Sequence, residues 1–227
     1  MFQHLAFDLL ACFAALLIGL WQKTKLRLPD NPHIKSTYIL FLMLGSVSGG
    51  YLFGTWNLIL SHKFILAHSV LGALVGAILF IEIYKICRKI NTPTGGAYAL
   101  PFCVAVAVGR IGCYLAGLDD MTYGTATNLP WAVDFGDGIP RHPVQLYETI
   151  TMALAAVVCG LWLKADVPCY LKYAFPSVVG FYALQRFLWE FLKPYGTMIG
   201  PLNLFHVLCL FLMAYSLTLI YRRSRFV

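Results

Sequence analysis

The stretch AYALPFCVAVAVGRIGCYL, residues 97–115, decides the fold of this chain. It is almost wholly apolar and carries one charged side chain, that of Arg110. An α-helix needs about 20 such residues to cross the hydrocarbon core of a bilayer. Because a charge is costly inside lipid, an ionisable residue in such a helix marks a candidate functional site. The stretch therefore predicts a membrane-spanning helix and makes Arg110 a candidate site residue.

The whole chain shares this composition. Of its 227 residues, 59% are hydrophobic and 12% are charged, whereas soluble proteins have about 45–50% apolar and 25% charged residues. So few charged groups could not cover a surface that faces water. We therefore predict an all-α, polytopic membrane protein that forms a single domain over residues 1–227. The seven predicted spans are Leu5–Trp21, Thr37–Leu60, Phe64–Ile86, Ala97–Leu115, Pro143–Leu163, Tyr173–Lys193 and Leu202–Tyr221.

The basic residues predict the orientation of these spans. Cytoplasmic loops carry an excess of Lys and Arg, so the N-terminus is predicted outside and the C-terminus in the cytoplasm. Lipid headgroups and insertion then explain the net charge of +7 without a nucleic-acid partner. The residues assigned to the cytoplasmic side are Lys23, Lys25, Arg27, Lys35, Lys85, Arg88, Lys89, Lys164, Lys172, Arg222, Arg223 and Arg225. Those assigned to the outer side are Lys63, Arg141 and Lys193.

The polar segment of residues 117–142 is predicted to be an extracytoplasmic loop. It is long for a connection, and long connections are usually functional or disordered. Within it, Leu129, Trp131, Val133 and Phe135 alternate with other residues, which predicts a short extended piece.

Small residues recur at a spacing of four in the second and third predicted spans. This pattern is typical of helices whose backbones approach closely in a membrane. A glycine-lined groove for an acyl chain is the alternative interpretation. The residues are Gly45, Gly49, Gly50, Gly54, Gly72, Ala73, Gly76 and Ala77.

Arg110 has features of a phosphate-binding residue. It stands in the sequence Gly109-Arg110-Ile111-Gly112, and the two glycines clear space around its side chain. A guanidinium keeps its charge and presents a rigid fork of donors, which suits a lipid phosphate. Snorkelling of the side chain toward water is the alternative.

Two further clusters contain candidate residues. Tyr182, Arg186, Glu190 and Lys193 repeat at helical spacing, hence on one helix face. Glu190 could simply neutralise Arg186, or Arg186 could join Arg110 in one phosphate pocket. Pro143 favours a helix start, which places His142, Gln145 and Glu148 along one face at the outer membrane surface, next to Arg141. His68 is a further ionisable residue within a predicted span.

Taken together, these motifs resemble those of the prolipoprotein diacylglyceryl transferases. The resemblance implies a multi-pass enzyme of the bacterial inner membrane that uses no metal and no cofactor. It would move the diacylglyceryl group of phosphatidylglycerol, a membrane lipid, to the lipobox cysteine in the signal peptide of a prolipoprotein. The matching residues are Gly109–Gly112, Thr127–Trp131, His142–Glu148 and Tyr182–Lys193.

The resemblance also implies roles for the candidate residues. Arg110 and Arg186 would stabilise the departing phosphate, and a basic group such as His68 or His142 would take the thiol proton. These four residues are the predicted catalytic residues. The predicted substrate-binding residues are Arg110, Arg141, Gln145, Glu148, Tyr182, Arg186 and Glu190.

Two alternatives remain open from the sequence. Cys113 and Leu118 stand where the family usually has Asn and an acidic residue. A related lipid transferase with another donor or acceptor is therefore one alternative. A non-catalytic membrane protein that binds or transports phospholipid is the other.

Overall fold

The computed structural model of the protein describes residues 2–24, 28 and 30–225. Lys25 and Arg27, which enter the predicted orientation, lie outside the described residues. Within these ranges the chain forms seven α-helices. The helices are α1 (Phe2–Thr24), α2 (Ser36–Leu60), α3 (Val70–Cys87), α4 (Ala99–Ala116), α5 (Val144–Ala165), α6 (Val167–Glu190) and α7 (Leu204–Arg225).

Six of these helices are long and apolar enough to cross a membrane, counting only the residues that the structure describes. The remaining one, α6, has 24 residues but is more polar, because it carries Lys172, Arg186 and Glu190. The predicted all-α architecture with several candidate membrane spans is therefore confirmed. The other regular elements are the 3₁₀ turns Gly96–Tyr98 and Gly117–Asp120 and the strands β1 (Val133–Asp134) and β2 (Pro140–Arg141).

The small residues of α2 and α3 bring the two helix backbones into direct contact. A Cβ atom added at Gly49 would lie 2.5 Å from the Gly72 carbonyl oxygen and 2.7 Å from the Gly76 Cα atom. Such distances leave no room for a side chain or for an acyl chain between the helices at these positions. The glycines there serve close packing, as is common where helices meet in lipid.

Hydrogen bonds join three connections into one layer at the same end of the bundle. The Tyr195 hydroxyl donates to the Met121 carbonyl oxygen at 3.0 Å. The Gly196 N–H donates to the Ser61 hydroxyl at 2.8 Å. This connection layer consists of residues 61–69, 117–143 and 191–203.

The predicted start of the third span at Phe64 is wrong. The helix begins at Val70, and residues 63–69 before it have no regular secondary structure. Two local interactions explain why α3 begins later in the chain than predicted. The Ala67 N–H donates to the Thr55 hydroxyl at 3.2 Å, and the same hydroxyl donates to the Ala67 carbonyl oxygen at 3.1 Å. The Ser69 hydroxyl caps α3 by accepting from the Gly72 N–H at 3.3 Å.

The sixth helix begins earlier than predicted, at Val167 rather than at Tyr173. The Asp166 carboxylate accepts a hydrogen bond from the Cys169 N–H at 2.9 Å, which caps the helix N-terminus. Asp166 is also the residue at which α5 ends, so a single residue connects the two helices. The hydropathy pattern misses the apolar first turn and a half of α6, because the charged residue Lys172 interrupts the apolar run.

Candidate functional site

A fully buried carboxylate, that of Glu148, lies at the centre of the site. Arg110 Nε lies 2.5 Å from Glu148 Oε2, and Lys193 Nζ lies 2.9 Å from Glu148 Oε1. Arg186 also pairs with Glu148 Oε1 through its Nη1 atom. None of these side chains is more than 6% exposed. Three cations thus share one carboxylate in the interior of the helix bundle.

A second carboxylate extends this network. Arg186 Nη2 lies 3.1 Å from Glu190 Oε2. The other oxygen of Glu190 accepts a hydrogen bond from the Asn203 side-chain amide at 3.0 Å. The three cations and two carboxylates leave one formal positive charge in excess. A buried ion cluster of this kind is tolerated only when its charges are compensated. Asp8 and Asp120 line one cavity together with Arg110 and Arg186, so they contribute negative charge beside this excess.

The sequence positions explain how these side chains meet. Glu148 stands in the first turn and a half of α5, just below the connection layer. Arg186 and Glu190 are four residues apart on α6, so they project from one helix face. Arg110 reaches them from α4, near the end of the helix. The network therefore joins α4, α5 and α6 at the same depth.

Both arginines also border a cavity of about 370 Å³. We call it the arginine cavity. It lies directly beneath the connection layer, because several of its walls come from that layer. The polar and aromatic residues that line it are Asp8, Asn57, His68, Phe102, Arg110, Asp120, Thr122, Arg186, Tyr195 and Phe205. An anion in this cavity would face guanidinium groups that are held from behind by Glu148.

Of the predicted histidines, His68 lines the arginine cavity and its side chain is exposed. Its ring packs near that of Tyr51, with 6.1 Å between the ring centroids. His142 is not a lining residue. Its Nδ1 atom lies 3.3 Å from the Tyr147 hydroxyl. The structure therefore places only one of the two histidines beside the arginines.

The remaining predicted residues are buried or lie in the loop. Glu148 and Glu190 stand behind the arginines and do not line the cavity. Tyr182 packs its ring edge against Phe102, with 5.3 Å between centroids, and Phe102 does line the cavity. Gln145 is 1% exposed and also lies outside the cavity lining.

Arg141 belongs to a small hairpin formed by β1 and β2, in which Val133 pairs with Arg141. This hairpin agrees with the extended piece predicted there. The guanidinium contacts the Asp137 carboxylate at 2.6 Å and stacks over the Tyr123 ring at 5.1 Å. Its hydrogen bond lowers the pKa of Asp137. Arg141 is thus engaged in holding the loop, away from the arginine cavity.

Sequence reasoning did not assign Lys193 or Asn57 to the site. Lys193 is seven residues after Arg186, which is a helical spacing, but α6 ends before it and the chain turns to bring it back. Asn57 is the only side-chain amide in the apolar helix α2. That isolation was a signal that a sequence reading could have used.

The described residues contain no group of side chains that is arranged to hold a metal ion. Within residues 2–24, 28 and 30–225, no group of three or more His, Cys, Asp or Glu side chains is arranged to hold a metal ion. The arrangement offers two buried guanidinium groups that border a cavity, with the carboxyl groups of Asp8 and Asp120 and the imidazole of His68 in the same lining.

Comparison with known proteins identifies the relatives of the chain. A family model described as prolipoprotein diacylglyceryl transferase matches residues 7–222. Three similar proteins are phosphatidylglycerol–prolipoprotein diacylglyceryl transferases. That of Geobacter sulfurreducens is 30% identical over 81% of this chain and 75% of the relative. That of Clostridioides difficile is 32% identical over 63% and 55%, and that of Mannheimia succiniciproducens is 30% identical over 70% and 61%. No solved structure matches significantly.

Removal of the central carboxylate should be far more damaging than removal of a loop carboxylate. We expect Glu148→Gln to lower the free energy of unfolding by about 3–5 kcal/mol, because three buried cations would lose their shared partner. Thermal unfolding of the purified protein in detergent measures the change. Asp137→Asn, which removes the exposed partner of Arg141, is the control and should have little effect. Equal stability of Glu148→Gln and the wild type would contradict the central role of Glu148.

Proposed function

The chain belongs to the prolipoprotein diacylglyceryl transferase family, and from this premise we propose that it transfers the diacylglyceryl group of phosphatidylglycerol to a lipobox cysteine of a prolipoprotein. The observation that carries the proposal is the family match over residues 7–222. The relatives named above span longer chains, and the match covers between about half and three quarters of each. The arginine cavity supports the same function, because two guanidinium groups border it and their donors suit a phosphate.

The reaction makes clear demands on the site. The thiolate sulfur of the acceptor forms a bond to a glyceryl carbon, the bond from that carbon to the phosphate oxygen breaks, and glycerol phosphate leaves with the electron pair. Negative charge therefore develops on the departing phosphate. We propose that Arg110 and Arg186, which border the cavity and are held by Glu148, stabilise this charge.

The buried carboxylates have a supporting role in this proposal. Glu148 and Glu190 hold the two guanidinium groups in fixed orientations, so that little reorganisation is needed when the phosphate arrives. Tyr182 and Gln145 are buried and lie outside the cavity lining, so they would act indirectly. Arg141 would shape the loop over the site through its contact with Asp137.

The acceptor thiol must lose its proton before it can attack. We propose His68 as the group that takes it, since His68 lines the same cavity as both arginines and is exposed. His142 lies on the hairpin against Tyr147, outside the cavity lining. The geometry therefore favours His68 over His142.

We further propose that all seven helices cross the bacterial inner membrane as a single domain over residues 1–227, with the N-terminus outside. Two observations support this arrangement. Lys63, Arg141 and Lys193 all belong to the connection layer at one end of the bundle. At the opposite end, Arg223 donates to the Lys172 carbonyl oxygen, which places basic residues of two segments together. The connection layer, including residues 117–142, would then face the periplasm.

The central test is the mass of a lipobox peptide after incubation with the protein and phosphatidylglycerol. The wild type should add the mass of one diacylglyceryl group and release glycerol phosphate. Arg110→Ala and Arg186→Ala should each lower the rate by about 10²–10³-fold, because each removes a donor to the developing charge. Arg222→Ala, at an exposed position of α7, is the matched control.

The outcome separates the main proposal from its alternatives. A peptide of unchanged mass with the wild-type protein would exclude this reaction. Binding of phosphatidylglycerol without turnover would then favour a lipid-binding or transport protein. Modification by another lipid alone would favour a related transferase. The thermal stability of each arginine variant must be measured alongside, because both residues also pair with Glu148.

The base is tested with histidine substitutions in the same peptide assay. We expect His68→Gln to lower the rate by about 10²-fold near neutral pH. Since the thiolate fraction of the peptide rises with pH, the loss should shrink at alkaline pH. His33→Gln, outside the arginine cavity, serves as the control. Loss of activity in His142→Gln but not in His68→Gln would show that His142, and not His68, takes the thiol proton.

The orientation is tested with alkaline phosphatase, which is active only after export from the cytoplasm. A fusion after Asp137 should be active, and a fusion after Arg225 should be inactive. A green fluorescent protein fused after Arg225 should fluoresce, which controls for expression of the second fusion. The reverse pattern of enzyme activity would show that the connection layer faces the cytoplasm.

A further inference from the structure

Asn57 is a buried amide whose side chain has no hydrogen-bond partner in the part of the chain that the structure describes. It is 1% exposed and lines the arginine cavity together with Arg110 and Arg186. Neither its side-chain nitrogen nor its side-chain oxygen has a hydrogen-bond partner among the described residues. Its backbone carbonyl is already occupied, since it accepts from the Ser61 hydroxyl at 2.9 Å. Only the side chain is left unsatisfied.

An unpaired amide at this place has a cost that calls for a physical reason. Burial of a polar group without a hydrogen bond is unfavourable, and buried amides in folded proteins are nearly always paired. The helix around Asn57 is apolar, so the surroundings of the side chain do not themselves require an amide. The amide is thus placed at the cavity wall where a ligand would complete its hydrogen bonds.

The chemistry of an amide selects the kind of group that it would bind. An asparagine side chain offers two N–H donors and a carbonyl acceptor without net charge. A phosphate oxygen can only accept, so it would satisfy the nitrogen and repel the oxygen. A hydroxyl group donates and accepts, so it can satisfy both atoms. The guanidinium groups of Arg110 and Arg186 already provide for the phosphate on another part of the wall.

We propose that Asn57 binds the hydroxyl groups of the donor lipid's headgroup, so that the cavity distinguishes a glycerol headgroup from an apolar one of the same size. The inference rests on the proposed function, which supplies phosphatidylglycerol as the donor. It assigns headgroup selection to α2 and phosphate binding to α4 and α6. A site that is built to pair with hydroxyls rejects an analogue without them, because the amide is then left unpaired.

The experiment compares two lipids that differ only in these hydroxyls. Phosphatidylglycerol and phosphatidylpropanol with the same acyl chains compete with a fluorescent phosphatidylglycerol for the full-length protein in phosphatidylcholine nanodiscs. The wild type should prefer phosphatidylglycerol by about five- to tenfold, as expected for a net hydrogen bond or two. Asn57→Leu should bind both lipids equally and should keep the thermal stability of the lipid-free protein.

The matched control is Gln22→Leu. Gln22 is likewise 1% exposed and its side-chain oxygen has no partner among the described residues, but it does not line the arginine cavity. This variant should keep the wild-type preference. Asn57→Ala is a second variant in case leucine prevents folding, and it should lose the preference in the same way.

Each outcome bears on the inference without depending on turnover. Loss of the preference in the Asn57 variants, but not in Gln22→Leu, supports it. A wild type without any preference, or an Asn57→Leu protein that retains it, overturns it. The peptide assay tests the proposed function separately. If the protein prefers phosphatidylglycerol but modifies no peptide, the inference about Asn57 stands and the proposed function fails. If the protein turns over both lipids equally, the proposed function stands and the inference fails.

Discussion

The pairing of three buried cations with Glu148 is the constraint on which the rest of the structure depends. A charged group deep among helices is tolerated only with a partner, and here one carboxylate serves Arg110, Arg186 and Lys193. Because these residues come from α4, α5, α6 and the chain beyond it, the network fixes how those segments meet. Glu190 supplies the remaining counter-charge through Arg186. Both arginines also border the arginine cavity, whose lining includes the carboxyl groups of Asp8 and Asp120.

The cavity has different chemistry on its different walls. Charge is concentrated where α4 and α6 contribute their arginines, a neutral amide comes from α2, and an imidazole comes from the chain that leads into α3. The connection layer covers this space, held by contacts such as that between Tyr195 and Met121. A phosphate, a hydroxyl group and a thiol differ in the partners that they need, and the cavity lining contains guanidinium groups, a neutral amide and an imidazole.

Much of the fold was accessible from the sequence, and the failures have identifiable causes. Apolar runs gave every helix, because length and hydropathy are local properties. The start of α3 was missed because hydropathy does not register that the Thr55 hydroxyl binds the N–H and the carbonyl oxygen of Ala67. Arg110 and Arg186 stood out because charges are rare in apolar runs. Asn57 was overlooked because a neutral amide in such a run attracts less notice than a charge.

What the sequence by itself determined was the class of protein and the list of costly residues inside its spans, since both follow from the price of polar groups in lipid. What only the tertiary structure decided was which of those residues face one another. Arg141 and His142 stand only a few residues before Glu148 in the chain. The hairpin holds Arg141 away from the arginine cavity, whereas the first turns of α5 place Glu148 in the interior. Distances across the chain, such as that between Arg110 and Glu148, are set by helix packing and connection geometry. No spacing within a single helix contains that information.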